Sequence, residues 1–394
     1  SCLTFGFFTK KDQATTTTKT PIAAEPTADI PNRAATAEQP KATAHNRVAP
    51  QSPKQIDDQE YKQNKLYQKI EASFQYFFDR MKNPVTGTIP DDMVYEGLMQ
   101  TKRLQEVHGN NRAEPLEWKE RGPDNVGGRT RAILVDERDP SRKTVFARSV
   151  SGGLWKTTDI TAAKPIWTKI NDNLENLAVG ALAQDPKNPE IMYMGTGEGY
   201  PNADAMRGVG IFKSVDGGNT WNILPSTRKV TNFAFVQRLV FNPITNDLFA
   251  GTGNGLFRSS DGGATWSTAI LSSKIFDLEW SPAGYLVASN ASSIYKINNT
   301  TPVTFTNLTI ATNSGFIKGL SRVEFTICKK FPNVIYAIGN LNGAASLVMK
   351  SSDGGVTWVT KGNASSTGGD ITNGQVWYDL TICVAPSDSN RLWV

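Results

Sequence analysis

The residues best suited to chemistry are gathered in one stretch, Glu198-Gly199-Tyr200-Pro201-Asn202-Ala203-Asp204-Ala205-Met206-Arg207-Gly208. Acidic, aromatic and basic groups alternate there, the mixture that binding loops use. Glu198 and Asp204 are carboxylates able to give or take a proton, and Arg207 is a fixed cation for an anionic group. Tyr200 completes this set of candidate ligand-binding residues. Trp155, Trp377 and Tyr378 are further aromatic platforms. A plainer reading stands beside this one: Glu198 and Arg207 pair to hold a turn, and the tryptophans are core. No residue is assigned a catalytic role from the sequence.

The rest of the composition narrows the chemistry. The two histidines, His45 and His108, both precede the β-rich part, so a histidine base or His-rich metal site is not expected there. No metal and no cofactor is implied. The 42 basic and 37 acidic residues are spread along the chain, without the basic stripe that nucleic-acid binding requires. No stretch reaches the roughly 18 apolar residues of a membrane span. The loop Gly127-Gly128-Arg129-Thr130-Arg131 is glycine-rich and basic, but it opens a strand rather than the helix a phosphate cradle needs. Three cysteines make no disulfide framework. Cys328 and Cys383 hold matching places in two similar strands and are expected to be buried free thiols.

A chain of 394 residues suits two or three ordinary domains, or one large all-β domain with extensions. Residues 1–8 read as a signal-peptide remnant, as a lipoprotein signal with Cys2 modified, or as an arbitrary fragment start. Residues 9–57 are rich in Thr, Ala and Pro and are expected to be disordered. Residues 58–112 are expected to be helical. Leu66, Ile70, Phe74, Phe77, Phe78 and Met81 follow helical steps, and a second helix starts at Pro90-Asp91-Asp92 and runs through Val94, Leu98 and Leu104.

From 113 to 394 short apolar strands bounded by Gly, Asn, Asp and Pro take over, and they repeat. Ser214-Val215-Asp216-Gly217-Gly218-Asn219-Thr220-Trp221 aligns with Ser259 to Trp266 and with Ser351 to Trp358; Asp216 and Asp261 are 45 residues apart, and Asp261 and Asp353 are 92 apart. Degenerate copies surround Trp155 and Phe305. Four strands in about 45 residues is the size of a propeller blade. The expected fold is an all-β propeller with blades starting near Arg129, Val179, Val236, Phe276 and Arg322, and a sixth starting at Tyr378 and broken off. The octapeptide Asp can accept bonds from its own turn, the paired glycines supply positive φ, and the Trp fills the wedge between blades. Asp216, Asp261 and Asp353, with Trp221, Trp266 and Trp358, are therefore assigned to folding.

These octapeptides resemble the Asp-box, or BNR, repeat of sialidases, sortilin-type receptors, xyloglucanases and a photosystem II assembly factor. The wider pattern, carried by 121–131, 151–156, Gly195 to Gly199 and Gly374 to Asp379, is similar to large bacterial surface proteins exported by the type IX secretion system. That resemblance implies a secreted or surface location and the secretion machinery as a partner. Xyloglucanases carry a catalytic Asp in a first-blade motif similar to R-T-D-I-G-G-L-Y. The matching stretch is Arg148-Ser149-Val150-Ser151-Gly152-Gly153-Leu154-Trp155, with Val150 in the carboxylate's place. Sialidases use an arginine triad and a Tyr/Glu pair; Arg129 and Arg131 are present but the R-I-P signature is absent. The expected function is a binding scaffold for polysaccharide or protein ligands. The alternative is a glycoside hydrolase, xyloglucanase- or sialidase-like, acting on complex glycans.

Overall fold

The computed structural model describes residues 69–88 (except 70, 71 and 74), 92–108 and 128–394, the last without 171–173, 201–204, 299, 301, 312, 346 and 364–368. The expected signal remnant, the spacer over 9–57 and the motif over 121–127 lie outside the described residues. The chain divides into two units, Phe5–Ile89 and a larger one containing Pro90–Val394. In the smaller unit residues 75–81 form helix α1, on which Phe77, Phe78 and Met81 are exposed. In the larger unit α2 spans Met93–His108 and passes through Gly97 without a break. Its start is pinned to the β-domain. Asp92 accepts from Arg228 Nη2 at 2.6 Å and Lys229 Nζ at 2.5 Å, and the Arg228 guanidinium lies 3.9 Å from the Tyr95 ring centre. Among the described residues no helix is long and apolar enough to cross a membrane.

The β-domain is a series of antiparallel sheets, each made of consecutive strands. Blade 1 holds β1 to β4 (Thr130–Val135, Val145–Ser149, Leu154–Thr157, Thr168–Lys169), and blade 2 holds β5 to β8 (Val179–Gln184, Met192–Thr196, Ile211–Ser214, Asn222–Ile223). Blade 3 holds β9 to β11 (Val236–Phe241, Leu248–Thr252, Gly255–Ser259), and blade 4 holds β12 to β15 (Asp277–Ser281, Tyr285–Ser289, Ile294–Asn298, Thr304–Asn307). Blade 5 holds β16 to β19 (Val323–Ile327, Ile335–Gly339, Leu347–Ser351, Val359–Asn363), and β20 and β21 (Cys383–Val384, Leu392–Trp393) form a two-stranded sixth sheet. The first strands β1, β5, β9, β12, β16 and β20 neighbour one another in that order. They therefore line the axis, and the sheets radiate from it as propeller blades.

Burial follows from this arrangement. The second strands β6, β10, β13 and β17 are buried at every position, because a neighbouring blade covers each face. Phe146 and Leu154 of blade 1 pack on Met192, Met194, Phe212 and Trp221 of blade 2. Tyr285, Val287 and Ile294 of blade 4 do the same with Phe325, Ile335, Met349 and Trp358 of blade 5. Each such side chain contributes about 1.5–3 kcal/mol of burial energy. The backbones approach closely near the axis, where a Cβ on Gly180 would lie 1.8 Å from the Val236 carbonyl oxygen.

Two departures from the sequence reading are local. Blade 3 has three strands rather than four; after its octapeptide the chain returns only as an isolated bridge, Leu271 to Leu256. Cys328 is a buried free thiol, but Cys383 is half-buried and disulfide-bonded. The similar strand pattern spoke for the backbone environment of the two cysteines and was silent on what approaches the second from elsewhere.

Candidate functional site

The octapeptide carboxylates are consumed inside their own turns. Asp216 accepts from Ser214 Oγ (2.7 Å), the Thr220 amide (2.8 Å) and Thr220 Oγ1 (2.6 Å), while the Gly218 amide donates to Ser214 Oγ (2.8 Å). Asp261 and Asp353 repeat this pattern through Thr265 and Thr357. Gly217 and Gly218 have φ of 68° and 84°, conformations that a side chain would strain. At Asp216 and Asp353 burial opposes the charge but is outweighed by the threonine bonds; at Asp261 the Thr265 bond leads. All three carboxyls are held down to about 2. Trp221 and Trp358 are buried and donate Nε1 to Gly218 and Gly355 carbonyls at 2.9 and 3.0 Å. Trp266 differs: its Nε1 has no partner, and the Gly263 carbonyl is taken instead by Ser226 Oγ of blade 2 at 2.5 Å.

The mouth of the axis is built differently, from residues of all the blades. Glu198, just past β6, is buried. Tyr378, ahead of the sixth sheet, donates its hydroxyl to Glu198 Oε1 at 2.7 Å, and Arg129 Nη1 of blade 1 lies 3.5 Å from the same oxygen. Burial raises the Tyr378 pKa and the Glu198 charge raises it further, against the pull of Arg131 and Arg129. Tyr378 meets Tyr200 edge-on with ring centres 5.6 Å apart, and Phe276 closes the cluster. Cations cover these rings: Arg131 lies 3.9 Å from the Tyr200 centre, Arg322 4.7 Å and Lys274 4.9 Å. Lys274 also donates to the Gly199 carbonyl. Burial, reinforced by Arg322 and Arg131, pulls its pKa down to about 8.

Below the mouth, a cavity of about 690 Å³ runs along the axis, lined among others by Arg131, Gln237, Arg238, Asp277, Glu279 and Glu324. Its carboxylates are bound to cations and amides of their own and of other blades. Arg238 bonds Asp277 (2.9 Å) and Glu324 (3.1 Å), and Arg322 clasps Glu324 at 2.7 Å. Burial raises the pKa of Glu324, against the pull of Arg322. Burial also raises Glu279, which Lys329 meets at 3.0 Å.

The structure thus brings three of the sequence candidates together: Glu198, Tyr200 and Tyr378. Trp377 is partly exposed beside Tyr378, with ring centres 5.3 Å apart. Trp155 stands apart, half-buried, with Nε1 donated to the Gly152 carbonyl at 2.9 Å. Arg207 is exposed and lends only its carbonyl, to Asn176 at 2.8 Å. The turn-holding Glu198–Arg207 pair is therefore replaced by Glu198–Arg129, because burial turns Glu198 toward the axis. Asp204 lies outside the described residues. Sequence reasoning missed Lys274, Phe276, Arg322 and Arg148 as neighbours of the mouth. Their signal was a cation or aromatic group next to a first or second strand, where the other positions are apolar. Val150 is buried, and its amide is bonded to the Arg129 carbonyl at 3.0 Å.

No family model matches the chain. Over 163 residues it is 31% identical to a xyloglucanase from a Paenibacillus species, which covers 38% of this chain and 15% of that protein. Among solved structures it is similar to a GH74 enzyme of Niastella koreensis (19% identity, TM-score 0.44, 68% of this chain and 50% of the other). It is also similar to a GH74 xyloglucanase of Xanthomonas campestris (15%, 0.45, 68% and 50%). A third is YCF48 from Cyanidioschyzon merolae (16%, 0.36, 55% and 62%). The chain spans a small part of its sequence relative and half the length of the first two structures.

Proposed function

We propose that the mouth is a glycoside hydrolase-like site for complex glycans, with Glu198 and Tyr378 as its reactive pair. The observation that carries this is the 2.7 Å bond from the Tyr378 hydroxyl to the buried Glu198 carboxylate. Of the two readings drawn from sequence, the partial likeness to a xyloglucanase supports the hydrolase over the binding scaffold. The first-blade carboxylate of the xyloglucanase motif is absent, and the valine in its place can move no proton. A tyrosine nucleophile with a carboxylate base is the known departure from the paired-carboxylate scheme. Tyr378, like any tyrosine, keeps its proton at neutral pH, and burial and Glu198 raise its pKa further, so a base is needed, and Glu198 is within reach. In this scheme Glu198 accepts the phenolic proton as Tyr378 attacks the anomeric carbon and the glycosidic C–O bond breaks, the departing oxygen taking a proton from an acid such as Asp204 or from water. Water then hydrolyses the tyrosyl glycoside, the proton on Glu198 returns to the Tyr378 oxygen, and Arg129 and Arg131 steady the charge. Trp377 offers a face to a flanking sugar. Secretion or surface display, with export by type IX machinery, belongs to the same proposal.

The test is a hydrolysis screen of the full chain on xyloglucan oligosaccharides and aryl glycosides of neutral and acidic sugars. Glu198→Gln and Tyr378→Phe should each lower turnover about 10²–10⁴-fold, and Asp204→Asn tests for the acid that protonates the leaving group. Unchanged turnover in Glu198→Gln, or no cleavage by the parent of any glycan it retains, would overturn the reading and return the mouth to binding alone.

A further inference from the structure

One buried cation is left over. Arg148, at the end of β2, is 1% exposed, and none of its three guanidinium nitrogens has a hydrogen-bond partner. Three other arginines of the axis have carboxylates: Arg238 has Asp277 and Glu324, Arg322 has Glu324, and Arg129 has Glu198. The charges that bear on Arg148 most include two more cations, Arg131 and Arg238. Two other buried polar groups in this region also lack partners, the Tyr200 hydroxyl and Gln237 Nε2. Gln237 Nε2 lies beside Gly199, 2.0 Å from where a Cβ on that glycine would sit.

An arginine cannot escape burial by losing its proton. A buried charge with no partner is among the most costly arrangements in a protein, and a buried donor without an acceptor adds to it. All the orphaned nitrogens are donors, and the Tyr200 hydroxyl can be one. The missing component is therefore an acceptor with a negative charge.

We propose that this region, between Arg148, the Tyr200 hydroxyl and the Gln237 amide, binds one small monovalent anion, a halide or a free carboxylate. The guanidinium supplies charge and a forked pair of donors, and the other two groups complete the shell. Arg131 and Gln237 also line the axial cavity, which gives the ion a route in. The site borders the mouth through the Tyr200–Tyr378 ring contact, but it does not depend on the hydrolase reading.

The test is thermal unfolding of the full chain and of Arg148→Met at constant ionic strength, with chloride, acetate or glucuronate as the varied anion. With a hundredfold excess over its dissociation constant, the bound ion should raise the parent's midpoint by about 5 °C or more. Arg148→Met should show no such rise, and it should melt above the parent when the anion is withheld. Which salt acts distinguishes a halide from a carboxylate. As a check that needs no variant, ³⁵Cl line broadening by the parent should be reversed by the effective anion. An equal salt response in parent and Arg148→Met, or no broadening and no midpoint shift in the parent, would overturn the proposal.

Discussion

Asp353 in its turn and Glu198 at the mouth are both carboxylates just past a strand of a blade, yet their partners differ in origin. Asp353 takes its bonds from Ser351 and Thr357, within six residues of chain. Glu198 takes its bonds from Tyr378, 180 positions away, and from Arg129 of another blade. The first arrangement can be copied wherever the octapeptide recurs, and it is copied at Asp216 and Asp261. The second exists once. Repetition in this molecule marks what holds each blade, and the unrepeated residues mark where the blades converge. A site that acts on one ligand needs unequal groups in one place, which identical turns spread around a rim cannot supply.

That contrast can be broken experimentally. The largest effect is expected at the rim, where Trp358→Ala should lower stability by about 3–5 kcal/mol, read as the midpoint of cooperative unfolding. A variant that still melts with the parent would mean the wedge residue is dispensable. Acid comes next. The rim carboxyls sit at about 2 when folded, below the ordinary 3.8, so their stabilisation is complete above about pH 4 and drains as pH falls toward 2. Asp353→Asn should flatten that part of the stability–pH curve while leaving any glycan turnover at neutral pH unchanged. A turnover loss matching that of Glu198→Gln would erase the division between rim and mouth. The smallest effect separates two copies of one octapeptide. Trp358→Phe removes a made hydrogen bond and should cost about 1 kcal/mol more than Trp266→Phe, whose indole nitrogen has no partner to lose. Equal costs would mean the indole bond contributes nothing.

How far the sequence could be read follows the same division. The octapeptides, the turn residues and the alternation of apolar strands announced a propeller and the starts of its first five blades to within a residue or so. Those signals are local, since a turn closes on its own residues and a strand declares its buried face by its own pattern. Even so, identical octapeptides did not foretell that Ser226, from the end of blade 2, would take the Gly263 carbonyl away from Trp266. Neither did they show that blade 3 would lack a fourth strand.

At the mouth, Glu198, Tyr200 and Tyr378 stood out by composition alone, and Trp155 and Arg207 stood out equally but lie elsewhere. What distinguished them was the direction each loop took once the blades had packed, with Glu198 carried toward the axis and Arg207 to the surface. The sequence by itself determined the blade, because each blade is held by contacts near in chain. Only the tertiary structure decided the site, because its bonds join residues of different blades, and no local pattern encodes a distance that depends on how blades pack around an axis.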